Sequence, residues 1–353
     1  MTWYIRLWKY ITLAHGAGGR ETEELVENLI VQKVPPELRK VGEDGAGLDV
    51  LDDAALIPLG DGRYMAVTVD SYTVKPIFFP GGDLGKLAAS GTINDLLMVG
   101  ARPVAALDAM VVEEGFPVED FNKIVDSYLA VLRENRVALI GGDFKTMPKG
   151  QLDGMVISSM GIGIAEKPII DKNIRPGDKI VVSGYLGDHG AAILAAQQAV
   201  GVDLGVKSDV KPLTDLMLPL LERYADSIHG AGDPTRGGLA MLANDWARKT
   251  GTVIVLYEER IPVRPQVKEY AEMLGVDPLS LASEGAAVLA VEPDKAEEIV
   301  EYMRSLGYEN ASVIGEVYEP KDPRHAGRVL LRSRTGGVRI LEPPSGEIVP
   351  RIC

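Results

Sequence analysis

Acidic side chains recur in the first half of the chain where strands, helices and turns are predicted to end, and several stand beside glycine. A single aspartate in such a place is most often a turn residue or a helix cap. Several that converge repel one another unless cations neutralise them, and Mg²⁺ ions carrying ATP phosphates do so. The set therefore predicts a metal–nucleotide site. Its predicted metal ligands are Asp53, Asp70, Asp95 and Asp143, and its predicted nucleotide contacts are Asp52, Asp83 and Asn94.

A glycine-rich segment, HGAGG at 15–19, lies directly before a predicted helix. The backbone N–H groups of Gly16, Gly18 and Gly19 are placed to clamp a phosphate there, and His15 is a further candidate for proton transfer. An ordinary flexible loop accounts for the same residues, and the sequence leaves both interpretations open. The chain contains neither a Walker A sequence nor a GxGxxG sequence.

Three isolated residues have chemistry that the acidic set lacks. Cys353 is the only cysteine, which excludes an intrachain disulfide and a cysteine-based zinc site. Lys145 follows Asp143 by two residues and could meet a phosphate or a substrate, although a lone loop lysine is usually solvated. Glu284 precedes a predicted strand, where a lone glutamate is normally a surface charge.

His189 and His229 lack metal-ligand spacing and are expected to be structural or loop residues.

The elements that must position these residues mix without the strict alternation of a doubly wound parallel sheet, which favours an α+β fold. The sequence DPTRGGL at 233–239 is typical of a helix start, with Thr235 as its cap. We expect Asp70 to close a strand and Asp143 to follow one. The predicted strands are 63–70, 103–112, 136–141, 154–164, 179–183, 252–257, 286–291 and 311–317. The predicted helices are 21–32, 84–99, 118–134, 188–199, 213–225, 237–249, 265–274 and 294–306.

The length and composition favour two domains with a sizeable core, since 46% of the 353 residues are hydrophobic. A segment rich in charges and prolines at 165–178 predicts a boundary there. We expect an N-terminal domain at 1–165, a C-terminal domain at 166–341 and a mobile tail at 342–353. The last twelve residues hold three prolines and show neither helical nor strand periodicity.

The net charge of −14 opposes binding to nucleic acid or to an anionic membrane surface. No run of about 18 apolar residues is present, and the N-terminus offers no signal-peptide cleavage site, which predicts a cytoplasmic protein. The terminal PRIC is not a prenylation signal. The aromatic first ten residues are either a strand that pairs with another chain or an extension folded onto the surface.

Taken in order, several motifs resemble the HypE family of hydrogenase maturation proteins, from about residue 12 to the end. The wider superfamily of aminoimidazole ribonucleotide synthetase shares some of them, and only the closing PRIC is specific to HypE. The motifs are HGAGGRETEELV, LDDAA, FPGGDLGKLAASGTINDLLMVGA, GGDFK, GDHG, DPTRGGL, SEGAAV and PRIC.

The resemblance implies two α+β domains, an N-terminal half that forms a homodimer through its sheet, and an ATP and Mg²⁺ site between acidic loops. It also implies that the carbamoyltransferase HypF places a carbamoyl group on Cys353. ATP-dependent dehydration then gives a thiocyanate, whose cyanide passes to iron on the HypC and HypD proteins during assembly of the nickel–iron hydrogenase centre. Glu284 and Lys145 would lie near the thiocarbamate, with Glu284 as the proton acceptor and His15 as a weaker candidate.

Two rival functions fit part of the sequence. Selenophosphate synthetase belongs to the same superfamily but uses a cysteine or selenocysteine near its N-terminus, which this chain lacks. A nucleotide-binding scaffold without catalysis is the second. ATP hydrolysis that depends on carbamoylation of Cys353 separates an enzyme from a scaffold.

Overall fold

The computed structural model describes residues 8–197, 205–346 and 352, so the role predicted for Cys353 lies outside the described residues. The strands are β1 (Ala55–Pro58), β2 (Tyr64–Tyr72), β3 (Phe78–Phe79), β4 (Gly82–Asp83), β5 (Arg102–Glu113), β6 (Ala138–Met147), β7 (Met155–Ala165), β8 (Lys179–Val182), β9 (Ile228–Gly232), β10 (Val253–Tyr257), β11 (Val288–Val291), β12 (Ser312–Tyr318), β13 (Arg328–Arg332) and β14 (Val338–Ile340). The α-helices are α1 (Arg20–Leu29), α2 (Leu84–Met98), α3 (Val118–Glu134), α4 (Asp188–Ala196), α5 (Thr214–Tyr224), α6 (Gly238–Thr250), α7 (Pro265–Leu274) and α8 (Ala296–Ser305).

The N-terminal sheet has five strands in the order β1-β2-β7-β5-β6, and only its β5–β6 pair is parallel. Helix α2 packs on one face of this sheet and against α3. It buries nearly every side chain, including Leu87 and Ile93, as expected of a helix that is enclosed on all sides. The opposite face, called the outer face here, carries the exposed apolar side chains of Val69 and Met160.

The C-terminal sheet has seven strands in the order β14-β13-β10-β12-β8-β11-β9, with β10 and β13 parallel. Its central strands are buried on both faces because helices cover both. Val288 packs in the cluster that contains Trp246 of α6, whereas Leu289 packs with Ile299 of α8. Successive side chains of β11 therefore pack against helices on opposite faces of the sheet, because side chains alternate between the two faces along a strand.

The two α+β units share one hydrophobic core, because α2 also contacts α5 and β9 of the C-terminal unit. The interface between the units is thus continuous with their interiors. Among the described residues, no helix combines the length and apolar character that crossing a membrane requires.

The predicted α+β class is confirmed, while several local predictions are wrong. Strand β2 continues past Asp70 to Tyr72, and β6 runs through Asp143 and Lys145, which were expected in a loop. Thr235 is not the cap of α6, since the N-cap residue is Gly237 with φ +76. The predictions did not include six of these strands, namely β1, β3, β4, β9, β13 and β14. The domain boundaries at 165 and 341 stay predictions.

Candidate active site

Three carboxylates meet where the two units touch. Asp53 precedes β1, Asp95 lies in the buried interior of α2, and Asp233 follows β9. One carboxylate oxygen from each lies within 4.8 Å of the other two. The N-terminal unit contributes two of the groups and the C-terminal unit the third, so the cluster exists only because the units pack together.

The electrostatics of this cluster favour a bound cation. Burial is the main cause that raises the pKa of Asp233 to about 7, and the negative charge of Asp70 adds to the rise. Burial and the neighbouring aspartates raise the pKa values of Asp53 and Asp95 well above the usual range. Asp233 Oδ2 is buried and has no hydrogen-bond partner among the described residues. Oxygen ligands of this kind suit Mg²⁺, which would relieve the repulsion between them.

Two side chains of β2 border the cluster. Thr68 Oγ1 lies 2.7 Å from Asp95 Oδ2 and 3.0 Å from the backbone carbonyl oxygen of Asp53, which holds Asp95 in place. Asp70 lies 3.8 Å from the guanidinium of Arg236. Burial raises the pKa of Asp70, and Arg236 partly offsets that rise. The structure therefore brings Asp53 and Asp95 together, and Asp70 lies near enough to raise the pKa of Asp95.

Glu284 is buried beside the cluster. It is 1% exposed, and its Oε1 atom has no hydrogen-bond partner among the described residues. Burial first, then Asp233 and Asp209, raise the pKa of Glu284 well above its usual range. Asp209 fixes the backbone here, because its two carboxylate oxygens accept from the N–H groups of Glu284 and Gly285 at 3.1 and 3.2 Å. An unpaired buried carboxylate with a raised pKa is typical of a proton-transfer group.

The predicted nucleotide contacts Asp52, Asp83 and Asn94 each have a partner within the protein. Asp83 caps α2 by accepting from the N–H groups of Gly85 and Lys86. Asp52 pairs with Lys249 at 3.0 Å.

Asn94 joins the two units. Its amide nitrogen donates to the carbonyl oxygens of Lys211 and Glu284 at 3.1 and 3.4 Å, and its oxygen accepts from Leu213 N at 2.8 Å. These contacts use the whole amide group, and they hold the backbone at Glu284.

The glycine segment packs against the C-terminal unit. Gly18 has φ +75, and a Cβ atom there would lie 2.1 Å from Cβ of Arg236. A Cβ atom at Gly19 would lie 2.5 Å from the carbonyl oxygen of Pro344, whereas at Gly16 it would meet nothing within 4 Å. His15 is buried in a short 3₁₀ turn, with Nδ1 bonded to Thr12. Close packing thus accounts for two of the three glycines.

Asp143 and Lys145 lie away from the cluster within one chain. They pair with each other at 3.1 Å on the exposed edge strand β6. Asp70 and Gly142 occupy one row across the sheet, three strand spacings or roughly 14 Å apart. Because side chains alternate along a strand, Asp143 projects from the outer face, opposite to Asp70. One copy of the chain therefore does not assemble the predicted set of four metal ligands.

The described part of the tail lies in the groove between the glycine segment and the C-terminal unit. Arg20 N donates to the carbonyl oxygen of Pro344 at 3.0 Å, and Gly346 N donates to Glu21 Oε2 at 3.1 Å. Ile352 is 6% exposed and lines a small cavity together with Ala282 and Gly346. The predicted mobility of the tail stays a prediction.

Sequence reasoning missed Asp233, Arg236 and Asp209. The segment that contains the first two was interpreted only as a helix start, because the strand before it, IHGAG, has a single β-branched residue and two glycines. Had β9 been recognised, Asp233 would have stood directly after a strand, like the other candidates. Asp209 carries no local signal.

Comparison with known proteins identifies the family. The N-terminal domain model of AIR synthase related proteins matches residues 51–165, and the C-terminal domain model matches residues 175–327. A carbamoyl dehydratase HypE from Cupriavidus necator is 39% identical over 347 residues, which cover 97% of this chain and 95% of the relative. The chain belongs to the HypE family. A relative from Methanocaldococcus jannaschii, named as a hydrogenase expression/formation protein, is 43% identical over 347 residues, which cover 97% of this chain and 99% of the relative.

Solved HypE structures share the fold. HypE in a HypE–HypF complex aligns with a TM-score of 0.81 at 39% identity, covering 91% of this chain and 99% of that chain. HypE in complex with ATP aligns with a TM-score of 0.78 at 36% identity, covering 98% of this chain and all of that chain. The resemblance inferred from the motifs is thereby confirmed at the level of the family.

Proposed function

We propose that this chain catalyses the ATP-dependent dehydration of a carbamoyl group carried on Cys353 to a thiocyanate, and so supplies cyanide ligands for the nickel–iron centre of hydrogenase. The observation that carries the proposal is the cluster of Asp53, Asp95 and Asp233 next to the unpaired carboxylate of Glu284. The reaction requires a metal site that binds the phosphates of ATP and a group that accepts a proton.

The chemistry assigns a role to each group. A thiocarbamate does not lose water unaided, because oxide is a poor leaving group. Transfer of the γ-phosphoryl group of ATP to its carbonyl oxygen releases ADP and the first nitrogen-bound proton. Loss of the second nitrogen-bound proton, with cleavage of the C–O bond and departure of phosphate, leaves the nitrile. Glu284 is the proposed acceptor of that proton. When bound, Mg²⁺ would neutralise the phosphate oxygens, and Asp53, Asp70, Asp95 and Asp233 are the residues proposed to hold it.

The partners follow from the same proposal. HypF, with which a related HypE forms a complex, would supply the carbamoyl group. HypC and HypD would receive the cyanide. We place the reaction in the cytoplasm, where the thiol of Cys353 stays reduced.

A homodimer would give Asp143 and Lys145 access to an active site. The outer face that bears them also exposes Val69 and Met160, at 60% and 36%. Pairing two outer faces would bury this apolar surface and carry both charged residues toward the neighbouring copy. If the chain forms this homodimer, Asp143 would bind the metal and Lys145 would lie near the thiocarbamate of the neighbouring copy.

The test measures phosphate release from ATP by the full-length chain before and after carbamoylation of Cys353 by HypF with carbamoyl phosphate. We expect release only from the carbamoylated protein, and none when the variant Cys353→Ser is treated in the same way. ATP hydrolysis that proceeds equally without carbamoylation would contradict the carrier role. ATP binding with no hydrolysis in either state would indicate a nucleotide-binding scaffold.

A further inference from the structure

A buried histidine contacts the backbone of the tail. His189, in the first turn of α4, is 0% exposed, and its Nε2 atom lies 2.9 Å from the carbonyl oxygen of Ile352. That oxygen is only an acceptor, so Nε2 must carry the hydrogen of this bond. The contact therefore requires a particular protonated nitrogen on the ring.

The other side of the ring is arranged to supply that form. Nδ1 of His189 lies 2.7 Å from Ser208 Oγ, and Val210 N donates to the same Oγ at 3.1 Å. Because Ser208 Oγ accepts from Val210, its own hydrogen is free to point at Nδ1, which then accepts. A series of hydrogen bonds therefore runs from Val210 N–H through the Ser208 hydroxyl and the imidazole of His189 to the carbonyl oxygen of Ile352. Every donor in it has an acceptor.

The surroundings of the ring favour the same neutral form. Burial lowers the pKa of His189 to about 4, although the bond to Ile352 opposes that fall. Phe79 packs edge-on against the ring, with centroids 5.5 Å apart. The adjacent Asp188 is engaged by Arg264 at 2.7 Å. The imidazole is thus held in place from several sides, and its Nε2–H group is directed at the tail.

The segment that orients His189 is itself attached to the N-terminal unit. Ser208 N donates to the carbonyl oxygen of Pro80 at 2.8 Å, and a Cβ atom at Gly81 would lie 2.6 Å from the carbonyl oxygen of Ser208. Pro80 and Gly81 precede α2, the helix that carries Asp95. The histidine is therefore fixed relative to the acidic cluster.

We propose that His189 is a positioning residue that holds the carbonyl group of Ile352 and thereby places the sulfur of Cys353 for dehydration. Holding this carbonyl group restrains the next residue, because only the peptide nitrogen lies between the carbonyl carbon of Ile352 and Cα of Cys353. The inference rests on the proposed function, in which Cys353 carries the reacting group. His189 takes no part in the bond changes and acts only through the tail.

Two substitutions separate the hydrogen bond from ring packing. His189→Gln extends an amide toward the position of Nε2, so it can still donate to Ile352. His189→Asn ends near the position of Nδ1, where it can accept from Ser208 but does not reach the tail. Both remove the aromatic contact with Phe79, which makes them matched controls for each other. Urea unfolding of each variant verifies that it is folded.

The readout is the rate at which a bulky maleimide labels Cys353, the only cysteine in the chain. If His189 holds the carbonyl group of Ile352, so large a reagent should label Cys353 slowly until that hydrogen bond breaks. We expect His189→Asn to be labelled about tenfold faster than the parent, the factor that corresponds to one net hydrogen bond, and His189→Gln to stay within about threefold of the parent. Equal rates in all three proteins would overturn the proposal, as would equal acceleration in both variants.

Single-turnover dehydration of the carbamoylated proteins provides the second readout. At saturating ATP, the rate constant should fall about tenfold in His189→Asn and largely recover in His189→Gln, while the Kd for ATP is unchanged. A parental rate in His189→Asn would also overturn the positioning role. If the parent itself does not dehydrate, the proposed function fails, while the labelling rates still decide whether His189 holds the tail.

Discussion

Asp53, Asp95 and Asp233 bring three carboxylates to one place, where Asp233 raises the pKa values of both Asp53 and Asp95. In such a site the protonated form is favoured until a cation enters. The residues that would bind Mg²⁺ are therefore also residues whose protonation stabilises the cation-free fold. This coupling makes the metal site testable through stability as well as through activity.

The first prediction concerns pH and Asp233, whose pKa of about 7 lies above the value of about 3.9 expected in the unfolded chain. A raised folded-state pKa contributes stability that is complete below the unfolded value and is lost as the pH rises through the folded value. Without divalent cations, the free energy of unfolding should therefore fall between about pH 4 and pH 7. Asp233→Asn should weaken that dependence, as measured by urea unfolding.

Magnesium supplies the control for this prediction. At about pH 8, Mg²⁺ should stabilise the parent and have a much smaller effect on Asp233→Asn, because one ligand is gone. A variant that gains as much stability from Mg²⁺ as the parent would remove Asp233 from the metal site.

The second prediction concerns proton transfer by Glu284. Glu284→Gln keeps the size of the side chain and removes the base, so dehydration should slow by about 100-fold or more while carbamoylation and ATP binding persist. Glu301→Gln on α8 is a control, since that glutamate is exposed. Unchanged single-turnover rates in Glu284→Gln, measured by quenched-flow mass spectrometry, would exclude the assigned role.

At the scale of single residues, the sequence predicted those site residues that lie next to a recognisable strand or helix. It missed those that have no such neighbour. Asp53, Asp70 and Asp95 stand beside strong strand or helix patterns, and the structure places Asp53 and Asp95 in one cluster with Asp70 near Asp95. Asp233 was missed because a glycine-containing strand conceals it. The roles of Asp52, Asp83 and Asn94 depend on Lys249, on a helix end and on the segment at 211–213, and only folding reveals these partners.

At the scale of elements, α2 connects the two units. It presents Asp95 to the acidic cluster and Asn94 to the backbone of the C-terminal unit. Both side chains have hydrogen-bond partners, as buried polar groups usually do. The predicted limits of α2 and α3 were accurate because their patterns are long, whereas β6 was predicted too short because two glycines interrupt it.

The third prediction tests the connection made by α2. Asn94→Ala should reduce the free energy of unfolding by about 3 kcal/mol, because it leaves the buried N–H of Leu213 and the carbonyl of Lys211 without their partner. Asn122→Ala on α3 removes an exposed side chain and should change stability by less than about 0.5 kcal/mol. Equal effects of the two substitutions in urea unfolding would show that Asn94 does not join the units.

At the scale of the whole molecule, the outer face of the N-terminal sheet is the surface through which the proposed homodimer would form. It combines exposed apolar side chains with the free edge of β6, and both features favour association. The sequence indicated two units and their class, but it could not show that they share a core, because contacts such as α2 with α5 join distant segments.

The fourth prediction concerns this outer face. Met160→Lys should shift the protein toward monomer, since pairing two outer faces would bury the introduced charges. Met273→Lys on α7 is the matched control, because that methionine is also exposed but lies away from the sheet. Sedimentation velocity distinguishes the states, and an unchanged dimer in Met160→Lys would place the interface elsewhere.

The most direct measurement is the intact mass of the full-length chain after incubation with HypF, carbamoyl phosphate and ATP with Mg²⁺. The proposed chemistry predicts a gain of one carbamoyl group, followed by the loss of one water, with both changes mapping to the peptide that contains Cys353. Omitting ATP from the second stage should stop the sequence at the carbamoyl adduct, and Cys353→Ser should show neither change. A carbamoyl adduct that persists unchanged in the presence of ATP would contradict the account.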